Sequence, residues 1–304
     1  MRLGVLDVGS NTIHLQVVDA HRGGHPTPTT SHKVELRLTE YLVDGSISEE
    51  GISLLFEAIE GAIEHAKEFD TEEILAFATS ALREAKNGDS IIASINKRYD
   101  IDLQILSGEE EARLTFLAAR RWFGWSAGTL LVLDIGGGSL EVALGVDESP
   151  DTAFSLPLGA GRLTRDFLVG DPFTSKSIKS LENHVNNSLQ KVLPQKMKMH
   201  RAEQSVATSK TFRTLARIGS KWYGDSPKKL EAASLLGIVP RLSDMTNTDR
   251  ASLSGVSTAR AKQILAGAIV ASSAMEILEI SELEICPWAL REGLILRWLD
   301  WMEI

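Results

Sequence analysis

The stretch Leu130-Leu131-Val132-Leu133-Asp134-Ile135-Gly136-Gly137-Gly138-Ser139-Leu140-Glu141-Val142-Ala143-Leu144 reads as an apolar strand, a turn of small residues and a second apolar strand. The first residues of the chain repeat it. Leu3-Gly4-Val5-Leu6-Asp7-Val8-Gly9-Ser10-Asn11-Thr12 runs straight into a second strand, Ile13 to Asp19. A shift of 127 residues superposes Leu3 on Leu130, Val5 on Val132, Leu6 on Leu133, Asp7 on Asp134 and Gly9 on Gly136. Self-similarity at so long a spacing predicts two copies of one domain rather than a solenoid of short units.

Around these hairpins, helices and strands alternate. Ser48-Glu49-Glu50 opens a helix whose apolar positions Ile52, Leu55, Phe56, Ile59, Ile63 and Ala66 keep the helical period. Ile74 to Ala78 and Ile101 to Leu106 are expected strands, Asp89 to Tyr99 and Glu109 to Phe123 expected helices. The second half is expected to be more helical: 177–193, 210–218, 230–236, 249–254, 257–278 and 289–302, with a short strand at 285–287. The pattern predicts an α/β fold with mixed sheets and two domains, 1–124 and 125–304, the last helix packing back on the first. No Pro/Ser-rich linker separates the halves, so a shared cleft is expected between them.

The composition bounds the class. The chain has 304 residues, 43% of them hydrophobic and 24% charged, which excludes disordered and collagen-like chains. Its single cysteine, Cys286, cannot form an intramolecular disulfide. No signal-peptide core and no run of about 18 apolar residues occurs, so a cytoplasmic protein without a membrane partner is expected. The net charge of −9 conceals an asymmetry. Residues 160–230 hold fourteen Lys and Arg against five Asp and Glu, a local balance of +9 that leaves −18 for the rest. Such a block attracts anions locally.

Three turns of small residues follow apolar strands: residues 7–12, Thr79-Ser80-Ala81-Leu82-Arg83, and residues 134–139. Glycine lets backbone N–H groups converge on an anion, and serine and threonine hydroxyls add donors. Gly9, Ser10, Asn11, Thr12, Ser80, Arg83, Gly136, Gly137, Gly138 and Ser139 are therefore candidate phosphate contacts. Asp7 and Asp134 repel phosphate unless a divalent cation lies between, as for Mg²⁺ held by one or two carboxylates plus substrate oxygens. Glu141 is a further candidate for that shell. Ser107-Gly108-Glu109-Glu110-Glu111-Ala112-Arg113 opens a helix with three glutamates, one of which is expected to take a proton from an attacking water. Spacing alone does not choose among them.

Together with Ala289-Leu290-Arg291-Glu292-Gly293, these motifs resemble the exopolyphosphatase/guanosine pentaphosphate phosphohydrolase family, in order, over residues 3 to about 296. The resemblance implies two ribonuclease-H-like domains of the actin and acetate/sugar kinase superfamily. It implies Glu111 as catalytic base, Arg83 as a phosphate contact, and Asp134 and Glu141 around Mg²⁺, with Mn²⁺ as a substitute. The implied reaction is in-line attack of water on a terminal phosphoryl group of inorganic polyphosphate. The alternatives are the 5′-phosphate of guanosine pentaphosphate, or a weakly active sensor of polyphosphate or of guanosine penta- or tetraphosphate. Many relatives read Gly-Gly-Thr where this chain has Thr208-Ser209-Lys210-Thr211, which favours bare phosphate, with Lys210 as a contact, over a nucleoside. The chain is shorter than relatives carrying a further helical domain, so less processive digestion of long chains is expected.

The basic block then acquires a partner. Lys176, Lys179, Lys191, Lys196, Lys198, Arg201, Lys210, Arg213 and Arg217 are expected to track a polyanion. Nucleic acid is not expected, because no aromatic-interleaved basic motif occurs. His21-Arg22-Gly23-Gly24-His25 with His32 reads as a surface turn rather than a metal site, and Cys286 as a buried thiol. Trp288, Trp298 and Trp301 fit helix packing or the contact of an expected homodimer.

Overall fold

The computed structural model describes residues 1–21, 26–199 and 201–302, the side chain of Lys196 excepted. Two compact units are present: Met1–Leu114 with Leu290–Ile304, and Thr115–Ala289. The break lies ten residues before the expected one at 124/125, inside a continuous helix, and the last helix belongs to the first unit rather than to 125–304. The turn Arg22-Gly23-Gly24-His25 lies outside the described residues.

In the first unit, β1 (Arg2–Val8), β2 (Thr12–Asp19) and β3 (Thr27–Glu35) form an antiparallel meander. A small ribbon of β4 (Leu42–Val43) and β5 (Ser46–Ile47) precedes α1 (Glu49–Glu68). The chain continues through β6 (Glu73–Ala78), α2 (Ser80–Glu84), α3 (Gly88–Tyr99), β7 (Leu103–Ile105) and α4 (Gly108–Phe123). The sheet order is β3-β2-β1-β6-β7, with β6 and β7 parallel to β1. Helix α1 starts where the Ser48 hydroxyl accepts the Gly51 N–H at 3.3 Å, and buries Leu55, Ala58, Ile59, Ala62 and Ile63.

The second unit repeats that plan. It contains β8 (Leu130–Ile135), β9 (Leu140–Gly145), β10 (Thr152–Leu156), α5 (Ala160–Phe167), α6 (Ser175–Val192), α7 (Gln195–Lys198), β11 (Gln204–Ala207) and α8 (Ser209–Tyr223). Then come β12 (Lys229–Glu231), α9 (Ala232–Asp244), α10 (Asn247–Ala251), α11 (Thr258–Ala261), α12 (Ile264–Ile277) and β13 (Glu282–Ile285). The order β10-β9-β8-β11-β13 matches that of the first sheet, with β8, β11 and β13 parallel and β12 added antiparallel at the edge. This is the α/β arrangement of two mixed sheets, and the hairpins register alike: Asp7 faces His14, and Asp134 faces Glu141.

Several sequence expectations are corrected. Residues 230–236 are not one helix: Leu230 is in strand β12, and the helix begins at Ala232. The helix expected over 257–278 breaks around Lys262 and Gln263 into α11 and α12. The strand expected at 285–287 is Glu282–Ile285, a four-residue stretch with two charged positions and no continuous apolar run to mark it. Strand β3 was hidden by its polar, proline-containing composition, which suits an exposed edge. Helix α12 is buried all round, from Ile264 to Met275, and forms the centre of the second core. Among the described residues no helix is long and apolar enough to cross a membrane.

The last helix, α13 (Leu290–Trp301), closes the first unit by packing Leu290, Leu294, Ile295 and Trp298 against Leu3, Val5 and Phe77. It approaches α4 so closely that a Cβ on Gly293 would stand 1.9 Å from the Leu114 carbonyl oxygen. Gly293→Ala is expected to cost about 1–3 kcal/mol in urea unfolding, the usual cost of overpacking, because the obstacle is backbone.

Candidate active site

Both sheets turn their carboxyl ends into short loops, and each loop is built for polar work. In the first unit, β1 ends in a turn closed by the Gly9 N–H donating to the Thr12 carbonyl at 3.0 Å. The hydroxyls of Ser10 and Ser80 meet at 2.7 Å, both buried, so the turns after β1 and β6 are tied together. The Asn11 carbonyl accepts the N–H groups of Leu36 and Arg37. Helix α2 has only five residues, and its last turn presents Arg83.

Geometry separates the three glutamates of α4. Glu109 is exposed and pairs with Arg113 one turn on, at 2.8 Å. Glu110 closes a capping box: its carboxylate accepts the Ser107 N–H at 2.8 Å, and the Ser107 hydroxyl accepts the Glu110 N–H at 3.2 Å. Hydrogen bonds to it from the Ser107 backbone, and next from the Ser107 side chain, hold the Glu110 carboxyl below the usual carboxylate range. Glu111 is 7% exposed, and its carboxylate takes a bond from Arg83 Nη1. The same Nη1 donates to the Leu106 carbonyl at 2.7 Å, which fixes the guanidinium beside the carboxylate. Of the three, Glu111 alone is a buried carboxylate aimed at a candidate phosphate contact.

In the second unit the glycine loop has its carbonyls committed. Gly136 O accepts from Ala160 N, Gly137 O from Arg162 N, and Gly138 O from Arg162 Nε at 2.8 Å. The Gly136 N–H closes the turn on Ser139 O at 2.9 Å. The N–H groups of Gly137 and Gly138 donate to no acceptor among the described residues, which leaves them available to an anion. Gly159 packs under this loop, and a Cβ there would stand 2.3 Å from Gly138 C and Ser139 N.

Asp134 and Glu141 lie opposite each other on β8 and β9. Glu141 is buried and accepts the Ser155 hydroxyl at 2.8 Å. Burial pushes the Asp134 carboxyl up to about 6, opposed by a bond from the Thr208 hydroxyl and by the charge of Arg213. Two carboxylates side by side, one reluctant to ionise, suit a small divalent cation that completes its shell with water and substrate oxygens. Among the described residues no three His, Cys, Asp or Glu side chains form a metal cluster, so such an ion would depend on those extra oxygens. Asp7 differs from Asp134, because its cross-strand neighbour is His14 rather than a carboxylate.

Residues 207–213 hold two signals that the sequence reading missed. Ala207-Thr208-Ser209 repeats Ala78-Thr79-Ser80, and both threonines precede a helix with nearly the same backbone conformation. Ser209 sits at φ 66°, a left-handed conformation that favours glycine. Its hydroxyl caps Phe212 N at 3.5 Å, and its carbonyl holds Arg213 Nε at 3.1 Å. Helix α8 buries Thr211, Phe212, Thr214, Leu215, Ala216, Ile218 and Gly219, so Lys210, Arg213, Arg217 and Lys221 form its outer face. The remaining basic candidates are dispersed: Lys176, Lys179 and Lys191 are exposed on α6, and Lys198 and Arg201 lie near α7.

The weaker candidates stay structural. Cys286 is buried, with its N–H on Ala207 O at 2.8 Å. Trp288 packs against Trp122 at 5.4 Å, Trp298 donates to Glu73, and His32 lies 5.5 Å from His65. Trp301 is 74% exposed.

The chain resembles known proteins over its full length. The profile of the Ppx/GppA phosphatase family matches residues 17–302. The chain is 51% identical over 305 residues to Exopolyphosphatase 1 of Mycobacterium tuberculosis, covering 99% of this chain and 89% of that one. A crystal structure of the Aquifex aeolicus Ppx/GppA family member superposes with a TM-score of 0.82 at 25% identity, over 100% of this chain and 99% of the other. An exopolyphosphatase structure from Cytophaga hutchinsonii shares the fold at a TM-score of 0.88 and 24% identity, over 99% and 98% of the two chains.

Two predictions separate these roles. Glu110→Ala removes a helix cap and is expected to cost about 1 kcal/mol of stability. Because the folded pKa of Glu110 is depressed, its contribution is present above the unfolded carboxylate pKa and fades as pH falls through the folded value. Glu110→Gln is therefore expected to flatten the acid limb of the stability curve, read by urea unfolding between pH 3 and pH 6. Gly159→Ala is expected to displace the glycine loop, lowering phosphate release by at least tenfold with a smaller effect on the unfolding midpoint.

Proposed function

The chain belongs to the Ppx/GppA phosphatase family, and we infer that it is an exopolyphosphatase that releases orthophosphate from the ends of inorganic polyphosphate. The observation that carries this reading is the 51% identity over 99% of the chain to Exopolyphosphatase 1. The arrangement of the charged groups supports a mechanism for it.

In the mechanism we propose, Glu111 takes a proton from the attacking water as the new O–P bond forms and the terminal anhydride O–P bond breaks. Arg83 supports this role, because the guanidinium that pairs with Glu111 in the free enzyme is aimed to donate to a phosphate oxygen in the same place. The unoccupied N–H groups of Gly137 and Gly138, with Ser139, suit the non-bridging oxygens. Ser10, Asn11, Thr12 and Ser80 offer a second set of small-residue donors, on a turn that the Gly9 N–H closes. Asp134 and Glu141 are the residues that would hold Mg²⁺ or Mn²⁺, which would neutralise charge on the anhydride oxygens. Asp7, without a second carboxylate opposite it, has no metal ligand role in this proposal.

Lys210, Arg213, Arg217 and Lys221 suit the body of the polymer. Their spacings of three and four residues place them along one stripe of α8, about 16 Å long at 1.5 Å per residue. The stripe begins beside Thr208, whose hydroxyl binds Asp134. The sequence block of nine basic residues thus narrows to a single helix face.

Glu111→Gln is expected to lower phosphate release from polyphosphate with Mg²⁺ by about 10²–10⁴-fold while the unfolding midpoint is kept. Turnover unaffected by the substitution would sink the proposed base. The double substitution Arg217→Ala and Lys221→Ala is expected to reduce kcat/KM for chains of several hundred phosphates by about tenfold. Its salt dependence should weaken by about one to two counterions, and tripolyphosphate turnover should stay unchanged. Equal losses on short and long chains would count against the stripe.

A further inference from the structure

Arg291, the second residue of α13, has an unusual partner. Its guanidinium Nη1 lies against the imidazole of His14 on β2, on Nδ1 and at 3.4 Å from Nε2. Burial, and next the charge of Arg291, lower the His14 pKa to about 3, so the ring is neutral and accepts. Among the described residues no carboxylate pairs with Arg291, although three other half-buried or buried arginines are held by carboxylates or carbonyls. Arg83 has Glu111, Arg250 has Asp171, and Arg120 has the carbonyls of Gly124, Gly128 and Gly145. A guanidinium carries five N–H donors, and one imidazole nitrogen leaves most of the fork without an acceptor.

The internal duplication says what this position is for. The shift of 127 residues that places Asp7 on Asp134 also places His14 on Glu141. Both pairs are cross-strand neighbours in their own sheets. The second unit presents two carboxylates there, and the first presents a carboxylate, a neutral imidazole and a fixed positive charge. The location also fits an anion. Asp7 stands at the carboxyl end of β1, next to the Gly9–Asn11 turn that Ser10 ties to Ser80. Arg83 follows the carboxyl end of β6, the strand parallel to β1. His14 and Arg291 therefore add a cation to the edge of the sheet already lined with phosphate donors.

We propose that Arg291 is a phosphate-contacting residue of the exopolyphosphatase reaction, and His14 the positioning residue that aims it. The pair supplies with protein charge, on the first unit, what Asp134 and Glu141 are proposed to supply with a metal on the second. The proposal rests on the exopolyphosphatase reading. A planar guanidinium with free donors suits two oxygens of one phosphate, or one oxygen on each of two neighbouring phosphates. A neutral histidine suits the role of aiming, since a protonated one would repel Arg291 and offer no lone pair.

The test is tripolyphosphate binding by calorimetry without divalent cation, for the wild type, Arg291→Ala, Arg291→Lys, His14→Gln and Asp134→Asn, followed by phosphate release with Mg²⁺. Arg291→Ala is expected to weaken metal-free binding about ten- to hundredfold, the range for a charged hydrogen bond. Arg291→Lys should recover part of that, keeping the charge without the fork, and His14→Gln should fall between wild type and Arg291→Ala. Asp134→Asn should bind no more weakly than the wild type without cation, because it removes a carboxylate that repels phosphate. In turnover, Arg291→Ala should raise KM, and added guanidinium ion should restore activity. The proposal is overturned if Arg291→Ala binds tripolyphosphate like the wild type. It is equally overturned if its loss matches a fall in unfolding midpoint with no guanidinium rescue, because Arg291 then only docks α13. His14→Gln keeps that arginine, so unchanged KM in a folded His14→Gln protein removes the positioning role. A wild-type enzyme that neither binds nor hydrolyses tripolyphosphate or longer chains defeats the exopolyphosphatase reading itself. Hydrolysis by the wild type with unaffected Arg291 variants defeats only this proposal.

Discussion

A carboxylate at the end of a buried central strand is a costly object, and each sheet of this protein has one. Asp134 ends the interior of β8, and burial alone raises its pKa to about 6 in spite of the Thr208 hydroxyl and the Arg213 charge. A side chain in that position is tolerated because the fold compensates it with a hydroxyl and a cation, beside a second carboxylate. Glu141 comes from the antiparallel neighbour β9, Thr208 from the loop after the parallel neighbour β11, and Arg213 from the helix that follows. The order β10-β9-β8-β11-β13 is what brings these elements beside one strand end. A hairpin on one side and a parallel crossover on the other give the acidic residue both a cross-strand partner and a helix-borne cation.

The same order in the first sheet has been spent differently. Asp7 has the hairpin neighbour His14 instead of a glutamate, and the crossover element after β6 carries Arg83. Arg83 compensates Glu111 rather than Asp7, so the acidic group of the first unit proposed for proton transfer comes from α4. The duplicated framework therefore yields two unlike sets of groups. One has paired carboxylates with a glycine loop, and the other has a buried glutamate with two arginines on its sheet edge. Identical sets could each hold a cation or each a base. Divergence at positions 14 and 141 allows one chain to provide both.

Much of this was legible because strands in the middle of a sheet are read from continuous apolar runs. Leu3 to Leu6 and Leu130 to Leu133 are such runs, and their shared acidic terminus made the duplication visible. The third strand of the first sheet escaped because an edge strand does not need apolar residues, and Thr27–Glu35 contains almost none. The Ala-Thr-Ser repeat escaped for a different reason. It recurs at 129 residues rather than 127, because the loops between hairpin and crossover differ in length, so a fixed shift passes over it. The choice among Glu109, Glu110 and Glu111 could not come from sequence spacing, since all three are favourable in a first helical turn. Only the partners Arg113, Ser107 and Arg83 distinguish a surface pair, a cap and the proposed base.

Ser209 shows how the departure from glycine is accommodated. A non-glycine residue at φ 66° costs on the order of 1–2 kcal/mol relative to an ordinary helical start. Two bonds return part of that cost: the hydroxyl accepts from Phe212 N, and the carbonyl accepts from Arg213 Nε. A glycine would relieve the strain but would lose the hydroxyl cap, and a freer backbone would hold the carbonyl less firmly. The carbonyl matters because Arg213 is the cation whose field reaches Asp134. Serine at this position thus exchanges local strain for a fixed arginine beside the carboxylate proposed to hold the metal. The same serine roots the basic stripe of α8, since Lys210 follows it directly and Arg213, Arg217 and Lys221 continue along the one face that the core leaves open. Strain at Ser209, the Arg213 contact and the proposed polyanion track are consequences of a single turn, the one that carries the chain from β11 into α8.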